Sequence, residues 1–364
     1  MNKAYKFRLY PTTEQKQLFA RTFGCVRFIY NHMLADRILY YEQTKKALHN
    51  TPAQYKAAFP WLKEVDSLAL ANAQLHLNAA YNNFFRNPKG GYPKYKSKKD
   101  NYCSYSTNNQ KESVRLENNK LKLPKIGFVK INLHRQLPIN AVIKTVTVSK
   151  TPTDKYYVSI LVEYENQVLP VIPKTFIGLD FAMHELYVDS NGVSADYPRF
   201  YRRSQERLAK LSRQISKCKL GSSNRRKIRL KVAKLQERVA NQRKDFLHKL
   251  SAKLIADNDC IAIEDLNMRG MSQALSFGKS VADNGWGMFT NMLMYKAAWA
   301  GKTVVKVDKF YPSSQLCHVC GYKNEATKNL AVREWTCSQC GTHHNRDHNA
   351  AINICNEGRR IATA

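Results

Sequence analysis

The chain has 364 residues, of which 43% are hydrophobic and 11% aromatic, and its 59 Lys and Arg against 28 Asp and Glu give a net charge of +31. Its length allows two or three domains, and its apolar content excludes a disordered basic tail. Nucleic acid is the expected partner and an anionic membrane its rival, although no run approaches the roughly 18 apolar residues of a membrane span and the N-terminus lacks a signal-peptide core.

The first predicted element is a strand over Lys3–Tyr10, where apolar and basic side chains alternate. The sequence Thr12–Gln15 is a helix-start signature, and an apolar stripe continues that helix to about Tyr41. The pattern returns over Leu68–Phe85, with Leu75 and Phe85 on the apolar face. We therefore expect an N-terminal helical bundle attached to a strand.

A basic strip, Arg86–Lys99, holds six basic residues and no acid, and its glycines and proline prevent a helix. A solvated linker is the alternative. Because basic side chains bind phosphates and aromatic rings stack on unpaired bases, we expect nucleic-acid contact here. The candidate binding residues are Arg86, Lys89, Tyr92, Lys94, Tyr95 and Lys96.

A series of strands follows, and their alternating pattern predicts an antiparallel barrel or sandwich that the first strand joins. These strands are expected at Lys120–Leu123, Val129–Leu133, Val142–Val148 and Tyr156–Tyr164. The segment Val168–Pro173 is the predicted linker, because its two prolines cannot continue a strand ladder.

A second domain opens with the strand Phe176–Ala182, which is apolar except for Asp180. Further strands are expected at Glu185–Asp189, at Cys260–Glu264, which ends in a second acid, and at Thr303–Val307. An acid in or at the end of an apolar strand is costly unless a cation compensates it. These acids are therefore candidates for a functional site.

A basic hairpin lies between these strands, over Arg199–Lys244, and carries 17 basic and 2 acidic residues. Its apolar stripes predict two helices that fold back at Gly221–Asn224. A solvated helix pair explains the stripes but leaves the near absence of acids unexplained, so we favour phosphate contact. The candidate residues are Arg225, Arg226, Lys227 and Arg229.

Four cysteines form two CxxC pairs with sixteen residues between them, a spacing typical of a structural zinc site. They are Cys317, Cys320, Cys337 and Cys340. Two disulfides are the alternative, but the other five cysteines are scattered and odd in number, which favours a reducing compartment. Because four thiolates complete the shell of the zinc ion, the nearby histidines are expected to be polar loop residues: His343, His344 and His348.

Asp347 follows the cysteines at the start of a predicted helix, with Asn345 as a possible N-cap. It shares a face with Ala350 and Ile354, so it requires either a basic partner such as Arg346 or a metal.

Three acids, Asp180, Glu264 and Asp347, can converge beside a mixed sheet. Three adjacent carboxylates repel one another unless divalent cations hold them ionised, as two Mg²⁺ do in phosphodiester hydrolysis. The acids that spacing alone does not exclude as alternatives are Asp189, Asp265 and Asp308.

Over nearly its whole length the chain resembles the TnpB family, the transposon-encoded RNA-guided nucleases related to type V CRISPR effectors. The resemblance is carried by RLYPT at Arg8–Thr12, FGCVRFIYN at Phe23–Asn31, NFFR at Asn83–Arg86, LPKIGFVK at Leu123–Lys130, RKDFLHKL at Arg243–Leu250, IEDLNMRGM at Ile263–Met271, FGKSVADNGWGMF at Phe277–Phe289, and the cysteine run that ends in NRDHNAA. Two positions depart from the family pattern: Ala182 replaces a frequent glycine, and Ala71 stands where some relatives offer a glutamine to the flanking motif.

The resemblance implies a multidomain α/β protein with an N-terminal helical recognition bundle inserted in a β-barrel wedge domain, followed by an RNase H-like (RuvC) nuclease domain with an inserted zinc ribbon. The implied bounds are 1–12 for the wedge strand, 13–100 for the recognition domain, 101–170 for the wedge barrel, 171–364 for the nuclease domain and 313–342 for the ribbon. It further implies that Asp180, Glu264 and Asp347 are the catalytic acids and that the ribbon loads the target strand.

The implied activity is RNA-guided cleavage of double-stranded DNA beside a short flanking motif. The implied partners are a guide RNA from the transposon end and target DNA, with no membrane, in the cytoplasm of a prokaryotic cell. The implied cofactors are two catalytic Mg²⁺ and one structural Zn²⁺. A nuclease-dead RNA-guided repressor and an RNase H-fold transposase are the alternatives, and the retention of all three acids argues against the repressor.

Overall fold

The computed structural model describes residues 1–100, 103–165, 168–274, 278 and 283–364, so the motif at Phe277–Phe289 lies partly outside the described residues. The chain divides into two compact units, Met1–Asn166 and Gln167–Ala364. Among the described helices, none has the length and apolar character required to cross a membrane.

The first unit contains one antiparallel sheet that curls into a half-barrel and has the strand order β2-β6-β7-β1-β5-β4-β3. The strands are β1 Asn2–Tyr10, β2 Cys103–Asn108, β3 Arg115–Glu117, β4 Lys120–Leu123, β5 Gly127–Asn132, β6 Val142–Lys150 and β7 Tyr156–Glu163. The predicted participation of β1 is confirmed, because β1 pairs with both β5 and β7. Its alternate residues Tyr5, Phe7 and Leu9 are buried, as their spacing indicates.

Three helices cover the first unit: α1 Thr13–Thr44, α2 Tyr55–Ala58 and α3 Ser67–Arg86. Thr12 and Gln15 form the capping box that the sequence predicted for α1. The predicted apolar face of α3 was wrong, since Leu75 is 54% and Phe85 71% exposed. The face that packs instead consists of small and branched residues, namely Ala69, Leu70, Ala73 and Leu77.

The second unit is built on a mixed sheet of order β11-β10-β8-β9. Its strands are β8 Phe176–Ala182, β9 Leu186–Asp189, β10 Cys260–Glu264 and β11 Thr303–Val307, with a separate ribbon of β12 Glu334–Thr336 and β13 His343–Asn345. The strand β10 is parallel to β8 and β11, whereas β9 is antiparallel to β8. The helices are α4 Phe200–Ser216, α5 Ser223–Asp257, α6 Met268–Ala274, α7 Trp286–Ala300 and α8 Arg346–Thr363.

Two glycines let α8 lie directly on this sheet. A Cβ at Gly178 would be 2.2 Å from the carbonyl oxygen of Ala351, and a Cβ at Gly358 would be 2.2 Å from the Cβ of Ala262. Neither position can therefore accept a side chain without moving the helix. This close approach brings the N-terminal turn of α8 to the strands that carry the predicted acids.

Candidate active site and metal centre

The three predicted acids come together at one edge of the second unit's sheet. The register of the parallel strands pairs Ile263 of β10 with Leu179 of β8. The next residues of the two strands, Glu264 and Asp180, therefore lie side by side. Asp347 lies in the first turn of α8, whose N-cap is Asn345, as the sequence indicated. Both Glu264 and Asp347 are close enough to act electrostatically on Asp180.

The three carboxylates concentrate negative charge at this place in the fold. Burial raises the pKa of Asp180 well above its usual range, and the charges of Glu264 and Asp347 raise it further, against the opposing charge of Arg346. Burial likewise raises the pKa of Glu264, although the Ser313 hydroxyl donates a hydrogen bond of 2.5 Å to its Oε1. Carboxylate oxygens are the ligands that hard divalent cations prefer. The donor set therefore fits a magnesium-type ion.

Asp347 has a basic partner that the sequence did not identify. The Arg333 Nη1 donates to both of its carboxylate oxygens, at 3.1 and 3.3 Å. Arg333 reaches this position because β12 and β13 pair Glu334 with Asn345, and because the Arg346 amide donates to the carbonyl of Arg333. No spacing in the sequence reveals this neighbour, since it depends on the pairing of two three-residue strands.

The alternative acids have other partners. The Asp189 Oδ1 accepts the amides of Asn191 and Val193, each at 2.9 Å, and so shapes the turn after β9. Asp265 is paired with Lys306 at 2.8 Å, and Asp308 accepts the amide of Phe310.

The four predicted zinc ligands also come together, with their Sγ atoms all within 4.8 Å of one another. The Sγ atoms are 3.6 Å apart in two pairs, Cys317 with Cys340 and Cys320 with Cys337. All four are free thiols, not disulfides. Four convergent thiols fit a tetrahedral Zn²⁺ site.

The prediction that the nearby histidines are loop residues was wrong. His343 and His344 belong to β13, and His348 lies in α8. His344 is 3% exposed, and its Nε2 lies 3.1 Å from the Cys317 Sγ. It is therefore part of the core around the thiols, since the alternation of β13 turns it inward.

Two buried asparagines of α8 connect this helix to the cysteine segment. The Asn349 Oδ1 accepts the His318 amide at 3.1 Å, and its Nδ2 donates to the Leu316 carbonyl at 2.7 Å. The Asn353 Nδ2 donates to the carbonyls of Ser313 and Leu316, at 2.8 and 2.7 Å. The helix that carries Asp347 is thereby bonded to the segment that carries Ser313 and the first cysteine pair.

Replacing Asn353 by alanine is expected to destabilise the second unit by about 1–3 kcal/mol, because the buried Ser313 carbonyl loses its side-chain donor and the Leu316 carbonyl keeps only that of Asn349. Denaturant unfolding followed by circular dichroism measures this change. The control is Asn356→Ala, an exposed asparagine of the same helix, for which we expect no comparable loss. Equal effects of the two substitutions would contradict a specific role for Asn353.

The candidate nucleic-acid residues differ in their surroundings. In the basic strip, Lys96 is held by Asn31 of α1 through its own backbone amide and carbonyl, at 2.8 and 2.9 Å. The Tyr92 hydroxyl lies 2.8 Å from that of Tyr81. All six candidates of the strip are exposed: Arg86, Lys89, Tyr92, Lys94, Tyr95 and Lys96.

In the hairpin, the predicted pair of helices is confirmed as α4 and α5. The Arg225 Nη1 donates to the Ile215 carbonyl at 2.6 Å, so Arg225 closes the hairpin. Arg226, Lys227 and Arg229 are exposed and able to bind phosphates.

The protein is basic, has an α/β fold, and carries a carboxylate cluster beside a mixed sheet. This combination is found among metal-dependent nucleases. Comparison with known proteins identifies the family. Residues 1–46 match a family model described as "Helix-turn-helix domain", residues 159–275 one described as "Probable transposase", and residues 286–354 one described as "Cas12f1-like, TNB domain". In this chain the first span holds β1 and the single helix α1.

Two curated relatives extend over almost the whole chain. A Streptomyces pristinaespiralis protein named "Putative RNA-guided DNA endonuclease" is 38% identical over 98% of this chain and 90% of its own length. The Escherichia coli K12 protein "Putative RNA-guided DNA endonuclease InsQ" is 30% identical over 99% of this chain and 93% of its own. In fold, the chain is similar to Cas12f1 from a Cas12f1–sgRNA–target DNA complex, with a TM-score of 0.65, 13% identity and 98% coverage of both chains. The chain belongs to the TnpB/IS605 family.

Proposed function

We propose that this protein is an RNA-guided DNA endonuclease whose active site is formed by Asp180, Glu264 and Asp347. The observation that carries the proposal is the convergence of three carboxylates from β8, β10 and α8, two of which have raised pKa values. The names of its full-length relatives support the same activity.

The three carboxylates would hold two Mg²⁺ ions. When bound, such a pair activates the attacking water and stabilises the departing oxygen of a phosphodiester. The protein's own part is to fix the ligands: the Ser313 hydroxyl orients Glu264, and α8 holds Asp347 beside the strands. Arg333 places a positive charge beside Asp347, where it balances one of the three carboxylates.

The four thiols of Cys317, Cys320, Cys337 and Cys340 would hold one structural Zn²⁺. The proposed bounds are those that the family implies: recognition helices over 13–100, wedge strands over 1–12 and 101–170, a RuvC-type nuclease domain over 171–364 and the ribbon over 313–342. In this assignment the guide RNA derives from the transposon end. The basic strip and the basic hairpin would contact its phosphates or those of the target.

The test is to purify the protein from cells that carry its native flanking DNA, to sequence the RNA that copurifies, and to present the complex with a target library with randomised flanks. We expect RNA-dependent cutting beside a short flank, T-rich by family resemblance. If RNA-free protein cut a defined sequence and the RNA changed neither site nor rate, strand transfer by a transposase would become the better explanation.

The hairpin provides a prediction that does not require cleavage. The triple substitution Arg226→Gln, Lys227→Gln and Arg229→Gln removes three exposed cations but keeps Arg225, which closes the hairpin. On duplex DNA, the slope of log affinity against log salt should flatten by up to about 0.9 for each phosphate that the protein no longer neutralises. Filter binding between low and moderate salt measures the slope, and an unchanged slope would mean that this face is only solvated.

A further inference from the structure

A groove of about 610 Å³ opens on the first unit, beside α1 and the 3-10 turn Pro60–Glu64. This volume is within the range of sites that take small ligands or single building blocks of larger ones. The roles assigned above do not use it. The residues that line it include Gly24, Arg27, Phe28, Asn31, His32 and Trp61.

One wall of the groove is aromatic. The Phe28 ring centroid lies 4.0 Å from that of His32 and 4.8 Å from that of Trp61. Although these rings pack on each other, Trp61 remains 40% exposed. An accessible aromatic surface of this kind is the platform on which unpaired nucleobases stack.

Gly24 leaves room beside this wall. It lies in the interior of α1, where glycine is among the least favourable residues for a helix. A Cβ at this position would meet no described atom within 4 Å, and the backbone here is not in the left-handed region. The packing of the described residues therefore does not require a glycine, whereas a ligand that approaches the helix backbone does.

Arg27 supplies a positive charge to the same groove. The residue is half-buried, and its guanidinium forms no hydrogen bond or ion pair with any residue that the structure describes. A guanidinium without a protein partner, in a chain of net charge +31, is suited to a phosphate oxygen.

Asn31 joins the groove to the basic strip. Its side chain lines the groove and also holds the backbone amide and carbonyl of Lys96. The exposed neighbours Lys94 and Tyr95 consequently lie on a segment anchored at the groove's edge. A nucleic-acid backbone bound along the basic strip would therefore lie next to the groove.

We infer that this groove binds one unpaired nucleobase of a single-stranded segment, which stacks on Trp61 and contacts Phe28 next to Gly24, while an adjacent phosphate contacts Arg27. The inference rests on the proposed function only for the class of ligand, since it requires nucleic acid but neither metal nor cleavage. The base can come from RNA or from DNA, and the test separates the two.

The test is photocrosslinking of the full-length protein to short single strands that carry 5-iodouridine in an RNA arm or 5-iododeoxyuridine in a DNA arm, with peptide mapping. We expect adducts on Phe28 or Trp61, and the arm that produces them identifies the source. Gly24→Leu should lower their yield at least about tenfold, because a leucine fills the space for the base. Gln43→Leu, which adds the same side chain at an exposed site near the end of α1, should not change it.

Leucine favours a helix more than glycine does, so the Gly24→Leu protein is expected to keep its thermal midpoint or raise it. For Trp61→Ala, we expect affinity for a normal strand, relative to one with an abasic site, to fall by about 5- to 150-fold. Adducts confined to other segments, or adducts at Phe28 and Trp61 that survive Gly24→Leu, would overturn the inference. The crosslinks require nucleic-acid binding but not cleavage. A protein that fails to cut a guided target should therefore still form them, and failure of the proposed activity can be told apart from failure of this inference.

Discussion

Replacing Asp180 by asparagine is expected to lower the rate of guided DNA cleavage about a thousandfold or more while leaving guided binding nearly unchanged. The reason is that the metal ions stabilise the transition state by several kcal/mol and contribute little to holding the target. Glu264→Ala and Asp347→Ala should behave in the same way. Cleavage of a labelled target and gel-shift binding with catalytically inactive complexes measure the two quantities separately.

The matched control is Asp265→Asn, an exposed acid next to Glu264 that is paired with Lys306 outside the cluster. We expect it to cut normally. Wild-type cleavage by the Asp180 variant, or equal losses in both variants, would show that the active site is misassigned.

Asp180→Asn should lower the rate of cleavage but raise the stability of the metal-free protein. Because burial and neighbouring charges raise the pKa of Asp180 in the folded chain, its ionised form destabilises the fold. The protonated carboxyl of Asp180 instead favours the folded chain. This contribution to stability is fully present below the unfolded pKa of about 3.9 and is lost as pH rises through the folded pKa. At neutral pH without divalent metal, Asp180→Asn should therefore raise the free energy of unfolding, whereas Asp265→Asn should not. Added Mg²⁺ should stabilise the wild type more than the Asp180 variant.

The positions in the fold that depend on a local pattern were predictable from the sequence. The alternation of β1, the capping box of α1 and the acids of β8, β10 and α8 all have local signatures. The unpredicted strand β2 contains CSYSTN, which has no apolar alternation. Its Tyr105 packs against Phe19 and Phe23, and the hydroxyl of its buried Thr107 donates to Asp66, the N-cap of α3, so its burial depends on residues far apart in the chain.

The same distinction explains what was missed at the site. Arg333 and His344 come to Asp347 and Cys317 only through the pairing of β12 with β13, whose three-residue strands are too short to show a period. Leu75 and Phe85 were assigned to the wrong face of α3, because the helix has apolar residues on more than one face and only the face with Ala69, Leu70, Ala73 and Leu77 packs inward.

Replacing Cys337 by serine is expected to abolish zinc binding, reducing metal content from about one ion per chain to none. Serine is a poor zinc ligand, and three thiolates cannot close the tetrahedral shell. Structural zinc contributes roughly 10–16 kcal/mol to the folding of zinc-finger peptides, so the ribbon strands β12 and β13 should lose their order. Arg333, which directly precedes β12, should then lose its position beside Asp347. Cleavage should fall as a result, although Asp347 itself is not substituted. Elemental analysis and amide hydrogen exchange over 313–345 measure both effects.

The control for this variant is Cys218→Ser, whose thiol lies near the turn of the basic hairpin and donates to the Gln214 carbonyl. It should keep the zinc and the rate of cleavage. Exchange should also rise at the N-terminal turn of α8 in Cys337→Ser, because Asn349 and Asn353 bond this helix to the cysteine segment. A Cys337→Ser protein that retained one zinc and cut normally would contradict the assignment of these thiols, and loss of zinc without faster exchange in α8 would show that the asparagines alone position Asp347.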